Sequence, residues 1–227
     1  MRSVLTAVLG VVAALSAACG GSNPGGGTKT LYVEVQAVSD GSSDGTWMAV
    51  QIRDGSSSGP LVQDATVQIR GDKTGELYLP WQGISWGGWS AGAYAKGSLQ
   101  WDTGWALNIK RGNDGLDGYL QAPGHTVITQ PIANTTFSLA NAEPLLVKWE
   151  DDMGHRAEAV TVELHQSQFV RQLSEDPLQL SIPVDKLQGP TDERVEVTRT
   201  NEVNLAGGTP GSVFRASTHH SIQFRVE

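Results

Sequence analysis

The chain has 227 residues, a formal net charge of −8 and a single cysteine. An acidic surface repels phosphate backbones and no basic patch interrupts it, which excludes nucleic-acid partners. One cysteine excludes an internal disulfide framework, and the length suits one large or two small domains.

The first residues are Met1-Arg2-Ser3, and Val4 to Ala18 is uncharged and mostly apolar. That run is too short and too rich in alanine to span a bilayer, which takes about 20 strongly apolar residues. A positive start, a short apolar run and small residues before a cut describe an export signal over residues 1–18. Leu15-Ser16-Ala17-Ala18-Cys19 resembles the lipobox of bacterial lipoproteins. The resemblance implies that the Cys19 thiol takes a diacylglyceryl group and becomes the first mature residue. A membrane is then the partner, and Gly20 in place of an aspartate implies the outer membrane. Ser16 stands where that family usually has a larger aliphatic residue, and plain secretion is the alternative. Residues 19–29 contain Gly20-Gly21 and Gly25-Gly26-Gly27 and no large apolar side chain after the cysteine, the composition of a flexible tether.

From residue 30 onward, period-2 alternation dominates. Leu31, Val33, Val35 and Ala37 share one strand face, as do Met48, Val50 and Ile52. Ala65, Val67 and Ile69 follow, then Trp105, Leu107 and Ile109. In the second half the sets are Leu145, Val147 and Trp149, then Val160, Val162 and Leu164, then Val195 and Val197. Asp-Gly, Ser-Gly and proline-rich clusters bound these runs. Short helices are predicted only at Gln168–Ser174 and Val184–Leu187. The pattern predicts an all-β chain of two Ig-like antiparallel β-sandwiches, residues 30–124 and 125–227, divided at Ala122-Pro123-Gly124-His125.

Pro144-Leu145-Leu146-Val147-Lys148-Trp149 resembles an early strand of fibronectin type III and related Ig-like domains. In that family such a strand buries a tryptophan between the sheets, which implies the same place for Trp149. Ile182-Pro183-Val184-Asp185-Lys186-Leu187 and Val195-Glu196-Val197-Thr198-Arg199 are similar to later parts of such domains in bacterial lipoproteins. The family's tyrosine corner has no counterpart, since no tyrosine follows Tyr119. Pro60-Leu61 with Ala65-Thr66-Val67-Gln68-Ile69 more faintly resembles carboxypeptidase-regulatory-like or transthyretin-like sandwiches. Neither resemblance brings catalytic residues with it.

Gly88-Trp89-Ser90-Ala91-Gly92 fits the G-x-S-x-G pattern of serine hydrolases. A nucleophile elbow needs a helix after the serine, and Gly92 and Gly97 break one there. The same pattern recurs at residues 41–45 and 55–59, so it reflects a glycine- and serine-rich composition. Ser90 is read as an ordinary hydroxyl, and no catalytic residue is assigned. Trp81, Trp86, Trp89, Trp101 and Trp105 fall within one stretch. Trp105 alternates with Leu107 and reads as core. Trp86 and Trp89 sit among glycines and are the candidates for exposed, sugar-stacking rings. His219 and His220 are adjacent, so on a strand they point to opposite faces and do not share an ion. The turns at residues 40–45 and 113–118 carry oxygen ligands but match no EF-hand loop, so neither a metal nor a cofactor is expected. Arg70-Gly71-Asp72 resembles the integrin-binding tripeptide, on three residues alone.

These readings predict a non-enzymatic, lipid-anchored envelope protein, a structural or binding module whose partner is a glycan or an envelope protein. The alternative is a carbohydrate-binding surface lipoprotein that uses Trp86 and Trp89.

Overall fold

The computed structural model describes residues 22–42, 45–83, 89, 91–152 and 154–227. Cys19, Trp86 and Ser90 lie outside the described residues. The chain is all-β. Its first half holds β1 (Leu31–Ser39), β2 (Thr46–Asp54), β3 (Thr66–Gly71), β4 (Gly75–Tyr78), β5 (Trp81–Gln82), β6 (Ala93–Leu99), β7 (Gly104–Arg111) and β8 (Asp114–Gln121). The second half adds β9 (Thr126–Gln130), β10 (Thr136–Phe137), β11 (Leu145–Asp151), β12 (Ala159–Leu164), β13 (Phe169–Leu173), β14 (Gln179–Ile182), β15 (Thr191–Asn204) and β16 (Val213–Val226).

The predicted strands form where their alternation required. Leu31, Val33, Val35 and Ala37 all face the core, and so do Met48, Val50 and Ile52. Trp149 is fully buried in β11, as the fibronectin-like reading implied. The predicted helix at Gln168–Ser174 is instead β13, paired antiparallel with β12. It is a sheet edge that leaves Val170, Arg171 and Gln172 exposed, so it shows no apolar alternation to read. Val184–Lys186 is a single 3₁₀ turn.

In the second half, β14-β11-β9 faces β13-β12-β15-β16, three strands against four. In the first half, β4-β3-β7-β8 faces a sheet that runs β16-β1-β2-β6-β5. The strands β15 and β16 belong to both. Each is 14 residues long, and together they make one nine-stranded sheet common to the two sandwiches. Most of its joins are antiparallel, but β1 pairs parallel with the first half of β16, Glu34 with Val213 to Ser39 with Thr218.

The chain therefore crosses the expected boundary at residue 124. Val195, Val197, Phe224 and Val226 pack in the second core. Further along the same two strands, Leu205, Phe214 and Ala216 pack in the first core, with Val203 against it. Between the two cores the same inward stripe turns polar, at Arg199, Asn201, Thr218 and His220. These side chains meet the connecting segment 121–128 at the waist of the molecule. Arg199 Nη1 and Thr218 Oγ1 donate to the Gly124 carbonyl at 2.8 and 3.0 Å. Asn201 Nδ2 donates to the Gln121 carbonyl at 2.9 Å, and Trp101 Nε1 to that of Pro123 at 2.8 Å. A connection that crosses between two cores loses water along its backbone, and these donors satisfy it.

The expected tether also differs over residues 22–29. Asn23 bridges Tyr119 and Gly27 bridges Leu116 along the open edge of β8. The Asn23 and Tyr119 amides each donate to the other's carbonyl at 2.9 Å. On the other side, the Ala206 amide donates to Pro24 and the Lys29 amide to Gly207, both at 2.9 Å. The glycines here permit close backbone approach. Gly25 has φ +70°, and a Cβ on it would lie 1.8 Å from the Asp117 carbonyl oxygen.

Candidate functional site

The tryptophan-rich stretch resolves into separate roles. Trp101 and Trp105 are fully buried, their rings edge to face at 6.3 Å between centroids. Trp81 is half-buried and meets Tyr94 edge-on at 5.3 Å. Trp89 is also half-buried, and it lies on the outer face of the shared sheet. Alternation presents Tyr32 and Glu34 on β1, Trp47, Ala49 and Gln51 on β2, and Ala93 and Ala95 on β6 to that face. The three alanines form a floor of small side chains, and Trp89 and Trp47 pack against it.

The indole of Trp89 is fixed in orientation. Its Nε1 donates to Glu34 Oε2 at 3.1 Å, and the Tyr32 hydroxyl donates to Glu34 Oε1 at 2.6 Å. Burial and the neighbouring Glu34 carboxylate push the Tyr32 hydroxyl up to about 12, so it stays a donor. Gln51 Nε2 donates to the Gly92 carbonyl at 3.1 Å, which pins the chain just beyond Trp89 to the same face. Glu34 and Gln51 were not legible as positioning residues, because each occupies an outward position of an ordinary alternating strand.

A shallow, mostly apolar cleft of about 550 Å³ adjoins this patch. Tyr78, Pro80, Gln82 and Lys96 line it, and it shares Ala95 with the alanine floor. Tyr78 is 58% exposed. The arrangement offers a half-exposed indole and an exposed phenol ring near a concave surface. Rings of this kind can stack on the apolar face of a ligand, and a phenol or a side-chain amide can both donate and accept hydrogen bonds.

The other candidates from the sequence serve the fold. His220 Nδ1 accepts from the Ile128 amide at 3.1 Å. Asp40 accepts from the amide and hydroxyl of Ser42 at 2.9 and 2.7 Å, bonds that hold its carboxyl below the ordinary range. Arg70 and Asp72 are exposed beside the β3–β4 turn. Beneath that turn, buried Asp102 accepts from the Thr74 amide at 3.0 Å, and Asp72 accepts from Thr103 at 3.2 Å. Among the described residues, no three His, Cys, Asp or Glu side chains converge as metal ligands.

No family model matches the chain. No curated protein matches it either. Among solved structures it is similar to the chicken CNTN1 FN1-FN3 domains, at 12% identity and a TM-score of 0.30. The match covers 82% of this chain and 66% of that one. The sandwich architecture described above rests on strand order and on the two cores.

Proposed function

We propose that this chain is a non-enzymatic, lipid-anchored protein of the bacterial envelope, held through Cys19 at the outer membrane and serving as a structural or binding module. The observation that supports the module reading is how the buried acids are used. Asp176 accepts from the Ala157 amide and from Trp149. Glu193, wholly buried, accepts from the amides of Gln166 and Ser167 at 2.8 and 2.9 Å. Asp102 holds the β3–β4 turn. Each carboxylate accepts from backbone or side-chain donors that build the sandwiches, so its buried charge serves the fold. Export and anchoring rest on the sequence from Met1 to Cys19.

The test is fractionation with radiolabelled palmitate. Wild-type protein enters the membrane fraction carrying label, and Cys19→Ser is soluble and unlabelled. A soluble wild-type protein with an unmodified thiol overturns the anchor. Stoichiometric labelling of Ser90 by a fluorophosphonate probe overturns the non-enzyme reading.

A second reading, a carbohydrate-binding surface protein, is favoured by one observation. The Trp89 ring is half-exposed, oriented by Glu34, and next to the cleft that Tyr78 flanks. Polysaccharide titration that quenches tryptophan fluorescence in the wild type and fails in Trp89→Ala would support it.

A further inference from the structure

We propose that the arm of residues 22–29 seats the waist of the molecule, and neither of its ends, against a lipid surface; this rests on the reading of Cys19 as the anchor. The arm enters at the waist. The Gln121 amide donates to Ser22 Oγ at 3.3 Å, and Gln121 is the last residue of β8, where the chain leaves the first sandwich. From there the arm runs the length of β8 to the far tip, where the Thr28 amide donates to the Gly115 carbonyl at 3.0 Å.

Chain length then limits the geometry. A free segment from Cys19 to Lys29 would reach about 35 Å when extended. With the arm docked, only the step from Cys19 to Ser22 is available, about 10 Å at most. A lipid on Cys19 is therefore bound to lie close to Gln121, Asn201 and Glu158, which are linked by hydrogen bonds at the waist. Ser56 follows Gly55, whose amide donates to the Thr30 carbonyl at 2.9 Å beyond the far end of the arm, and Gln188 precedes Thr191, which pairs with Val226 at the opposite end of the shared hairpin, so both are held away from it. The glycines serve this seating. A Cβ on Gly27 would lie 2.5 Å from the Gly115 carbonyl oxygen and 2.7 Å from that of Gly207. None of residues 22–29 belongs to either core, so releasing the arm leaves the sandwiches intact.

The experiment has two arms. In the soluble Cys19→Ser chain, amide hydrogen exchange at Asn23, Thr28 and Lys29 should be slowed at least about 100-fold relative to unstructured chain. Exchange at the unstructured rate overturns docking. On zwitterionic vesicles with rhodamine-labelled headgroups, the mature chain carries a fluorescent unnatural side chain at position 56, 158 or 188. Energy transfer should be several-fold stronger from 158 than from either tip. The double change Gly25→Val with Gly27→Val should abolish that difference, as should a ten-residue Gly-Ser insertion between Cys19 and Ser22, which leaves the arm untouched. Equal transfer from all three positions in the wild type, or a difference that survives both changes, overturns the proposal. The chain is attached by coupling the Cys19 thiol to a maleimide lipid, so the result stands apart from palmitate incorporation in cells, which alone decides the lipoprotein reading.

Discussion

Arg199 Nε donates to Asp176 Oδ2 at 2.8 Å, and both side chains are wholly buried. The guanidinium also reaches Asp151, the Gly124 carbonyl and the His155 carbonyl. Asp176 in turn accepts from Trp149 Nε1 at 2.8 Å and from the Ala157 amide at 3.1 Å. One ion pair thus joins β15, β11, the loop before β14 and the crossing between the sandwiches. Breaking a buried pair by removing one partner strands the other charge, which costs about 3–5 kcal/mol. Arg199→Met, which strands the Asp176 charge, should lower stability by about that much in urea denaturation, and Asp176→Asn, which leaves Arg199 its pair with Asp151, should cost less. The double variant should lose less than the sum of the two.

Trp149→Ala should cost about 3–5 kcal/mol, the usual loss for a buried large aromatic. Trp149→Phe keeps most of the volume but removes the Nε1 donor to Asp176. It should cost about 1–3 kcal/mol, the range for leaving a buried acceptor unpaired. A phenylalanine variant as stable as wild type would show that the hydrogen bond contributes nothing.

Acid should destabilise the protein in two stages. Burial holds His220 below its ordinary value of 6.5, with His219 adding repulsion, and burial likewise lowers His125. A depressed histidine contributes stability in full above its unfolded value, and that is lost as pH falls through the folded one. The first decline should therefore begin below pH 6.5, where proton uptake also removes the His220 acceptor from the Ile128 amide. Burial alone would raise Asp176, but the bonds from Trp149, Ala157 and Arg199 outweigh it and hold it low. Its contribution is present above the ordinary 3.8 and disappears at lower pH. Urea midpoints at pH 7.5, 5.5 and 3 measure both stages, and His220→Gln should shrink the first.

Cutting the chain at residue 124 should not release two folded sandwiches. Fragment 28–124 lacks β16, the neighbour of β1, and it lacks Leu205, Phe214 and Ala216 from its core. Alone it should show little cooperative unfolding. Mixed with fragment 125–227 it should regain β-type circular dichroism and co-elute with it. A cooperative transition in the isolated fragment would show that the shared hairpin is dispensable.

Glu34→Gln should leave the Trp89 bond a neutral acceptor and change fluorescence little. Glu34→Ala should free the ring, shifting its emission toward the red and raising its quenching by acrylamide. Unchanged quenching would mean that the alanine floor alone orients the indole.

The buried strands were legible from residue 31 onward, because each must keep one face apolar at a period of two; β13, an exposed edge, carries no such alternation and read as a helix. The burial of Trp149 and Trp105 followed from the same rule. The alternation of β15 and β16 was only half legible. Val195 and Val197 read as core, but Arg199 and Asn201 interrupt the pattern, and a boundary at Pro123 then looked complete. The polar interruption marks the waist, and the apolar stripe resumes beyond it at Val203 and Phe214. Local sequence therefore determined which side of each buried strand faces inward. Only the tertiary structure decided that one hairpin serves two cores, that a glycine-rich segment is a docked arm, and that Glu34 orients Trp89. Each of these depends on a partner far away in the chain, and period and composition carry no information about distant partners.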